Sequence, residues 1–155
     1  MIVGGADVME AKEYLGQVKS KEAKINNLKR DKESMQEMMY SLGGAGNGER
    51  VQSSRNIDKF GTLYGKIDEM ERMIDDDIAD LLMFKMKVSR EINQMRTDKY
   101  MTVLNCRYIH FQSWEDIAES AFDEPYTVRY VLKLHGWALE EFENTHKKML
   151  SDEEK

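Results

Sequence analysis

SWEDIAESAFDEPYTVRYVLKLHGWAL, from Ser113 to Leu139, decides how this chain is read. Two short amphipathic patterns flank an acidic turn that holds the chain's one proline, Pro125. Ser113 and Asp116 form an S-x-x-D capping box, in which a hydroxyl satisfies amide groups left open at a helix start. The spacing predicts a short helix from Trp114 to about Ala121, with Trp114, Ile117, Ala118 and Ala121 facing inward. Phe122-Asp123-Glu124-Pro125 then opens a further helix, because proline near a helix start needs no amide partner and the acidic pair suits the helix dipole. On that helix Val128, Val131, Leu132, His135, Ala138, Leu139 and Phe142 share one face. The opposite side carries Tyr126, Arg129, Tyr130, Lys133 and Trp137, with Thr127 beside them at the amino end.

One locked face and one row of cationic and hydrogen-bonding groups is the arrangement that a major-groove recognition helix requires. The candidate DNA-binding residues are therefore Tyr126, Thr127, Arg129, Tyr130, Lys133 and Trp137. Arg129 suits a bidentate base contact and Lys133 a phosphate contact. His135, on the inward face, is expected to be packed and hydrogen-bonded. Just upstream, Thr97 or Asp98 caps a helix through Ile109 that buries Met101, Leu104, Tyr108 and Val103. Residues 97–150 thus read as a three-helix unit.

The preceding residues have a different period. Phe60, Ile67, Ile74, Leu81, Val88 and Met95 stand at seven-residue spacing, with Ile57, Tyr64, Ile78 and Ile92 at the companion position and Glu71 and Lys85 interrupting it. That is a coiled-coil seam on a helix from about Asn56 to Met95. A first helix, about Val8 to Leu42, carries a less regular seam: Val8, Ala11, Leu15, Val18 and Ile25, then Leu28, Met35, Met39 and Leu42. Gly43 to Arg55 is glycine-rich and cannot continue a helix. It lacks the preceding strand and the lysine that a phosphate-binding loop needs, so it reads as a connection. A glycine-rich link between two long helices favours an antiparallel hairpin. The expected fold is all-α: a long helical, coiled-coil hairpin over 1–96, with its loop at 43–55, followed by a helix-turn-helix domain over 97–150. The seam must be covered by the first helix, by a second copy of the chain, or by both, and a homodimer is expected.

Composition agrees and excludes much else. Among 155 residues, 34% are charged and 9% aromatic, with one proline and twelve methionines, which favours long solvated helices. One cysteine, Cys106, excludes an intramolecular disulfide and fits a cytoplasmic location. The start lacks a secretory signal pattern, and no apolar run is long enough to span a membrane. Asp75, Asp76, Asp77 and Asp80 lack calcium-loop spacing and read as a solvated face. Cys106 and His110, four apart, suit two metal ligands, but no further ligands are evident, so no metal or other cofactor is expected. No nucleophile and base stand in a catalytic order; the chain reads as a non-enzyme with no small-molecule substrate.

The terminal residues also resemble a family. Arg107-Tyr108-Ile109, Ser113-Trp114-Glu115-Asp116-Ile117-Ala118 and Leu134-His135-Gly136-Trp137-Ala138-Leu139 follow the order seen in region four of bacterial sigma factors and sigma-like helix-turn-helix domains. The chain looks closer still to a group of phage and prophage proteins of Gram-positive bacteria, through Ala11-Lys12-Glu13-Tyr14-Leu15, Glu49-Arg50-Val51-Gln52-Ser53-Ser54 and Asp58-Lys59. The link between Ala118 and Tyr126 is about three residues longer than that group's tight turn. The resemblance implies DNA binding and transcription regulation, like phage late-gene regulators, with RNA polymerase as a further partner. Nothing resembles a promoter-melting region, so a complete sigma factor is not expected.

Charge keeps a second reading open. The chain carries a net −6. From Thr97 to Leu139 four cations (Lys99, Arg107, Arg129 and Lys133) face six carboxylates, a net −2. DNA affinity ordinarily leans on phosphate contacts by a basic face. Arg107 is expected to serve structure by pairing with Glu115 or Glu119. The alternative is a protein-interaction module that keeps the helix-turn-helix fold and binds RNA polymerase or another phage protein. A localised positive patch around Arg129 and Lys133 favours DNA, and an apolar aromatic patch favours protein.

Overall fold

The computed structural model describes residues 9–44 and 54–153, and every described element is helical. Val8, most of the glycine-rich segment with Glu49 to Ser53, and the side chains of Leu42, Ile57 and Asp58 lie outside the described residues. The order is α1 (Ala11–Gly44), α2 (Ser54–Ile92), α3 (Asp98–Leu104) with a π-helical continuation (Asn105–Ile109), α4 (Trp114–Ser120), α5 (Val128–Thr145) and α6 (Lys147–Glu153). No described helix is long and apolar enough to cross a membrane.

The chain divides into two compact units, and the boundaries fall within the long helices. Residues 21–81 form one unit. Its α2 face follows the heptad: Ile67, Ile74 and Leu81 are buried, Phe60 is half-buried, and Tyr64 is 63% exposed. Ile25 and Met39 of α1 are buried, whereas Met35 is exposed. Lys24 Nζ lies 3.8 Å from Asp77, and Lys32 Nζ lies 3.5 Å from Glu71, so partner numbers rise along α1 as they fall along α2. Asp75, Asp76 and Asp80 face solvent.

Residues 1–20 and 82–155 form the other unit. The boundary expected at 96/97 lies inside it, because both long helices contribute to its core. Ala11, Tyr14, Leu15 and Val18 from α1 and Val88 and Ile92 from α2 have no exposed surface. The Tyr14 ring stacks on Phe142 at 6.1 Å and meets Phe84 edge-on at 5.8 Å. Its hydroxyl donates to buried Glu91 Oε2 at 2.7 Å, and the Glu91 carbonyl accepts from His146 Nε2 at 2.8 Å. The Ala11 N–H donates to Glu143 Oε1 at 3.1 Å. A buried carboxylate needs a donor such as the Tyr14 hydroxyl.

α2 ends at Ile92, three residues before the expected end, and Met95 is buried in the following turn, where its N–H donates to Ile92 O. Its place in the heptad is thus coincident with its burial and not the cause.

Candidate nucleic-acid interface

The site grows from two caps. Ser113 stands in extended backbone before α4, and its Oγ accepts the Asp116 N–H at 3.1 Å, as the capping box requires. Ile117 and Ala118 are buried with Val131 of α5, and Cys106, Trp114, Ala121, Phe122, Tyr126 and Val128 pack around them. The next cap corrects the sequence reading. Pro125 does not begin α5. Thr127 does, with its Oγ1 accepting the Tyr130 N–H at 3.1 Å. A hydroxyl that satisfies an open amide contributes about 1 kcal/mol. The Tyr126 N–H donates to Ala118 O at 2.8 Å and ties the link back to α4.

The inward face of α5 comprises Val131, Leu134, His135, Ala138 and Phe142, all buried. Leu132, expected inward, is 45% exposed, and Leu134 takes that place. At 100° per residue, Leu134 lies closer to the centre of the stripe formed by Val131, His135, Ala138 and Phe142 than Leu132 does.

A polar and aromatic cluster sets the angle between α3, α4 and α5. Tyr108 Oη lies 2.7 Å from His135 Nε2, and the Trp114 ring meets His135 edge-on at 4.7 Å. Burial pushes His135 down to about 4, with the Lys12 and Arg107 cations adding to the effect. The ring is therefore neutral near pH 7. Burial likewise pushes Tyr108 up to about 12, opposed by Arg107, so its hydroxyl stays protonated beside the imidazole. Arg107 is structural but not through the expected carboxylates. Its Nη1 donates to Gln112 O at 3.0 Å and its guanidinium lies over Trp114 at 4.2 Å, and the ion pairs among the described residues do not include one with Glu115 or Glu119. The reason is the turn between them. The π segment leads to Phe111, whose φ of 54° is left-handed, and the Gln112 N–H closes back on Cys106 O at 3.0 Å. That bend brings the Gln112 carbonyl to the guanidinium. Burial raises Cys106, which favours the protonated thiol. No group of three or more His, Cys, Asp or Glu side chains gathers to hold a metal among the described residues.

The six sequence-derived candidates have distinct places. Arg129 and Lys133 are exposed one turn apart. Thr127 is exposed but its Oγ1 is engaged as the cap. Tyr126 is half-buried between Phe122, at 4.9 Å, and Tyr130, at 5.0 Å. Trp137 is 46% exposed, two turns beyond Tyr130. Sequence reasoning missed Lys99 as a neighbour of these residues. Its Nζ lies 5.2 Å over the Tyr126 ring, and the Tyr126 hydroxyl, followed by Tyr130, holds its ammonium above the usual lysine value. Lys99 lies outside the capping motif, and only the packing of α3 on α5 brings it there.

No family model, no curated protein and no solved structure matches the chain.

Proposed function

We propose that this chain is a non-catalytic, DNA-binding transcription regulator of phage or prophage type, with a sigma-region-four-like helix-turn-helix in its terminal unit. The observation that carries the reading is the pair of capped helices, α4 and α5, with Arg129 and Lys133 exposed on the first turns of α5. Lys99 beside Tyr126 adds a third cation to that end of the helix. Arg129 reaches a base edge, Lys133 a phosphate, and Tyr130 flanks them. The seam and the Lys24–Asp77 and Lys32–Glu71 ion pairs support an antiparallel coiled-coil pairing of α1 and α2 in their own unit. The few cations make a homodimer, or RNA polymerase as a second contact, the means to useful affinity.

The test is Arg129→Ala and Lys133→Ala in folded protein, measured on a site selected from random DNA at low salt. Loss of Arg129 is expected to relax sequence preference by about 1–3 kcal/mol. Loss of Lys133 is expected to weaken all sequences alike and flatten the salt dependence. If both variants bind as the parent does, α5 is not the reader. The protein-interaction module then leads, supported by Leu132 and Trp137, which stand 45% and 46% exposed on the same helix.

A further inference from the structure

The side of α2 away from its heptad seam carries a second apolar stripe. Ala79, Leu82, Met83 and Met86 recur at intervals of three and four residues, so they share one face. Leu82, Met83 and Met86 stand 56%, 70% and 64% exposed, and Ala79 is exposed beside them. The two ends of this stripe differ in charge. Asp75 and Asp76 stand exposed before it, and Arg90 stands exposed after it. The ion pairs among the described residues include none of these three. Lys85 and Lys87 are engaged within the chain, over the Phe111 and Tyr14 rings.

Apolar side chains left in water at helical spacing are stabilised by packing on a like surface. The order acidic, apolar, basic selects the partner. A helix with that order matches a copy of itself turned end for end, because a twofold axis sets each end against the opposite one. With the axis between Leu82 and Met83, Leu82 of one copy faces Met83 of the other, Ala79 faces Met86, and Asp75 faces Arg90. Asp75 and Arg90 each lie about 11 Å from the axis along α2, at about 1.5 Å per residue. Arg72, a further exposed cation of α2, faces the neutral Asn93. Parallel packing instead sets Asp75 on Asp75 and Arg90 on Arg90, and like charges across an interface are unfavourable.

We propose that this face of α2 packs on the same face of a second copy of the chain in antiparallel register, with Leu82, Met83 and Met86 at its centre and Asp75 of each copy against Arg90 of the other. The surface is independent of the DNA reading, since none of its residues belongs to α5.

The test is sedimentation equilibrium of the full chain at low salt, with circular dichroism as the measure of folding. The unmodified chain is expected to dimerise at high micromolar concentration. Asp75→Arg sets cation against cation at both ends of the antiparallel pair, and Arg90→Asp sets carboxylate against carboxylate. Each is expected to weaken dimerisation about tenfold, the effect of replacing two surface ion pairs by like charges. In parallel packing neither variant weakens the dimer, because like charges already meet there. An equimolar mixture of the two variants is expected to recover the parent's affinity, since each then supplies the charge that the other lacks. That recovery also shows that both variants are folded. Three results overturn the proposal: a monomer mass for the unmodified chain, which leaves this face to a different protein; single variants that dimerise as the parent does; or a mixture that associates no better than its components. Arg129→Ala and Lys133→Ala are expected to leave dimerisation unchanged, so failure of the DNA reading and failure of this one are seen separately.

Discussion

At the scale of residues, His135 shows how environment sets chemistry. Its position on the inward stripe makes burial readable from spacing alone. Its partners are not readable, because Tyr108 and Trp114 come from other elements. Burial, then Lys12 and Arg107, lowers the folded value to about 4, against 6.5 for an unperturbed histidine. Between those two values the unfolded chain binds a proton that the folded chain excludes. The stability owed to the neutral ring is therefore complete above about pH 6.5, declines as pH falls, and levels below about pH 4. The urea midpoint followed from pH 7 to pH 4 is expected to drop more steeply in the parent than in His135→Gln. Parallel curves would show that the ring is not kept neutral. Tyr14 makes the complementary point. It sits in the first helix as one unremarked aromatic, yet it donates to buried Glu91 and packs on Phe142.

At the scale of elements, the helices were legible and their joints less so. Periodicity located α1, α2, α4 and α5 because one face of each is apolar at helical spacing. The joints depend on particular hydrogen bonds. Thr127 caps α5 because its hydroxyl reaches the Tyr130 amide, and the π segment after α3 ends at Ile109, two residues before the left-handed Phe111. The α2 surface bears on the proposed dimer. Ile74 and Leu81 are buried within the single chain, so aspartate there would attack the fold itself. Met83 and Met86, 70% and 64% exposed beside Leu82, remain for a second copy. Met83→Asp with Met86→Asp is expected to convert a dimer to a folded monomer, read by light scattering with circular dichroism. A monomer mass for the unmodified chain at high micromolar concentration would end the dimer reading.

At the scale of the whole molecule, the contribution of the long helices to the terminal unit decides what folds alone. Tyr14, Leu15, Val18, Val88 and Ile92 are fully buried. Burial of five such side chains is worth roughly 10 kcal/mol. That rivals the entire stability of an ordinary domain, about 5–15 kcal/mol. A fragment beginning at Thr97 is therefore expected to lack fixed tertiary packing, seen as collapsed methyl dispersion in its proton spectrum. A well-dispersed, cooperatively melting fragment would show that residues 97–155 are sufficient. Helical class, the approximate extents of the long helices, the Ser113 cap and the inward face around His135 followed from the sequence by itself, because each rests on interactions between residues a few positions apart. The unit boundaries inside α1 and α2, the seating of Arg107 on Trp114 and the approach of Lys99 to Tyr126 were decided only by the tertiary structure. Each joins residues from different elements, and spacing along one helix carries no information about what packs against it from another.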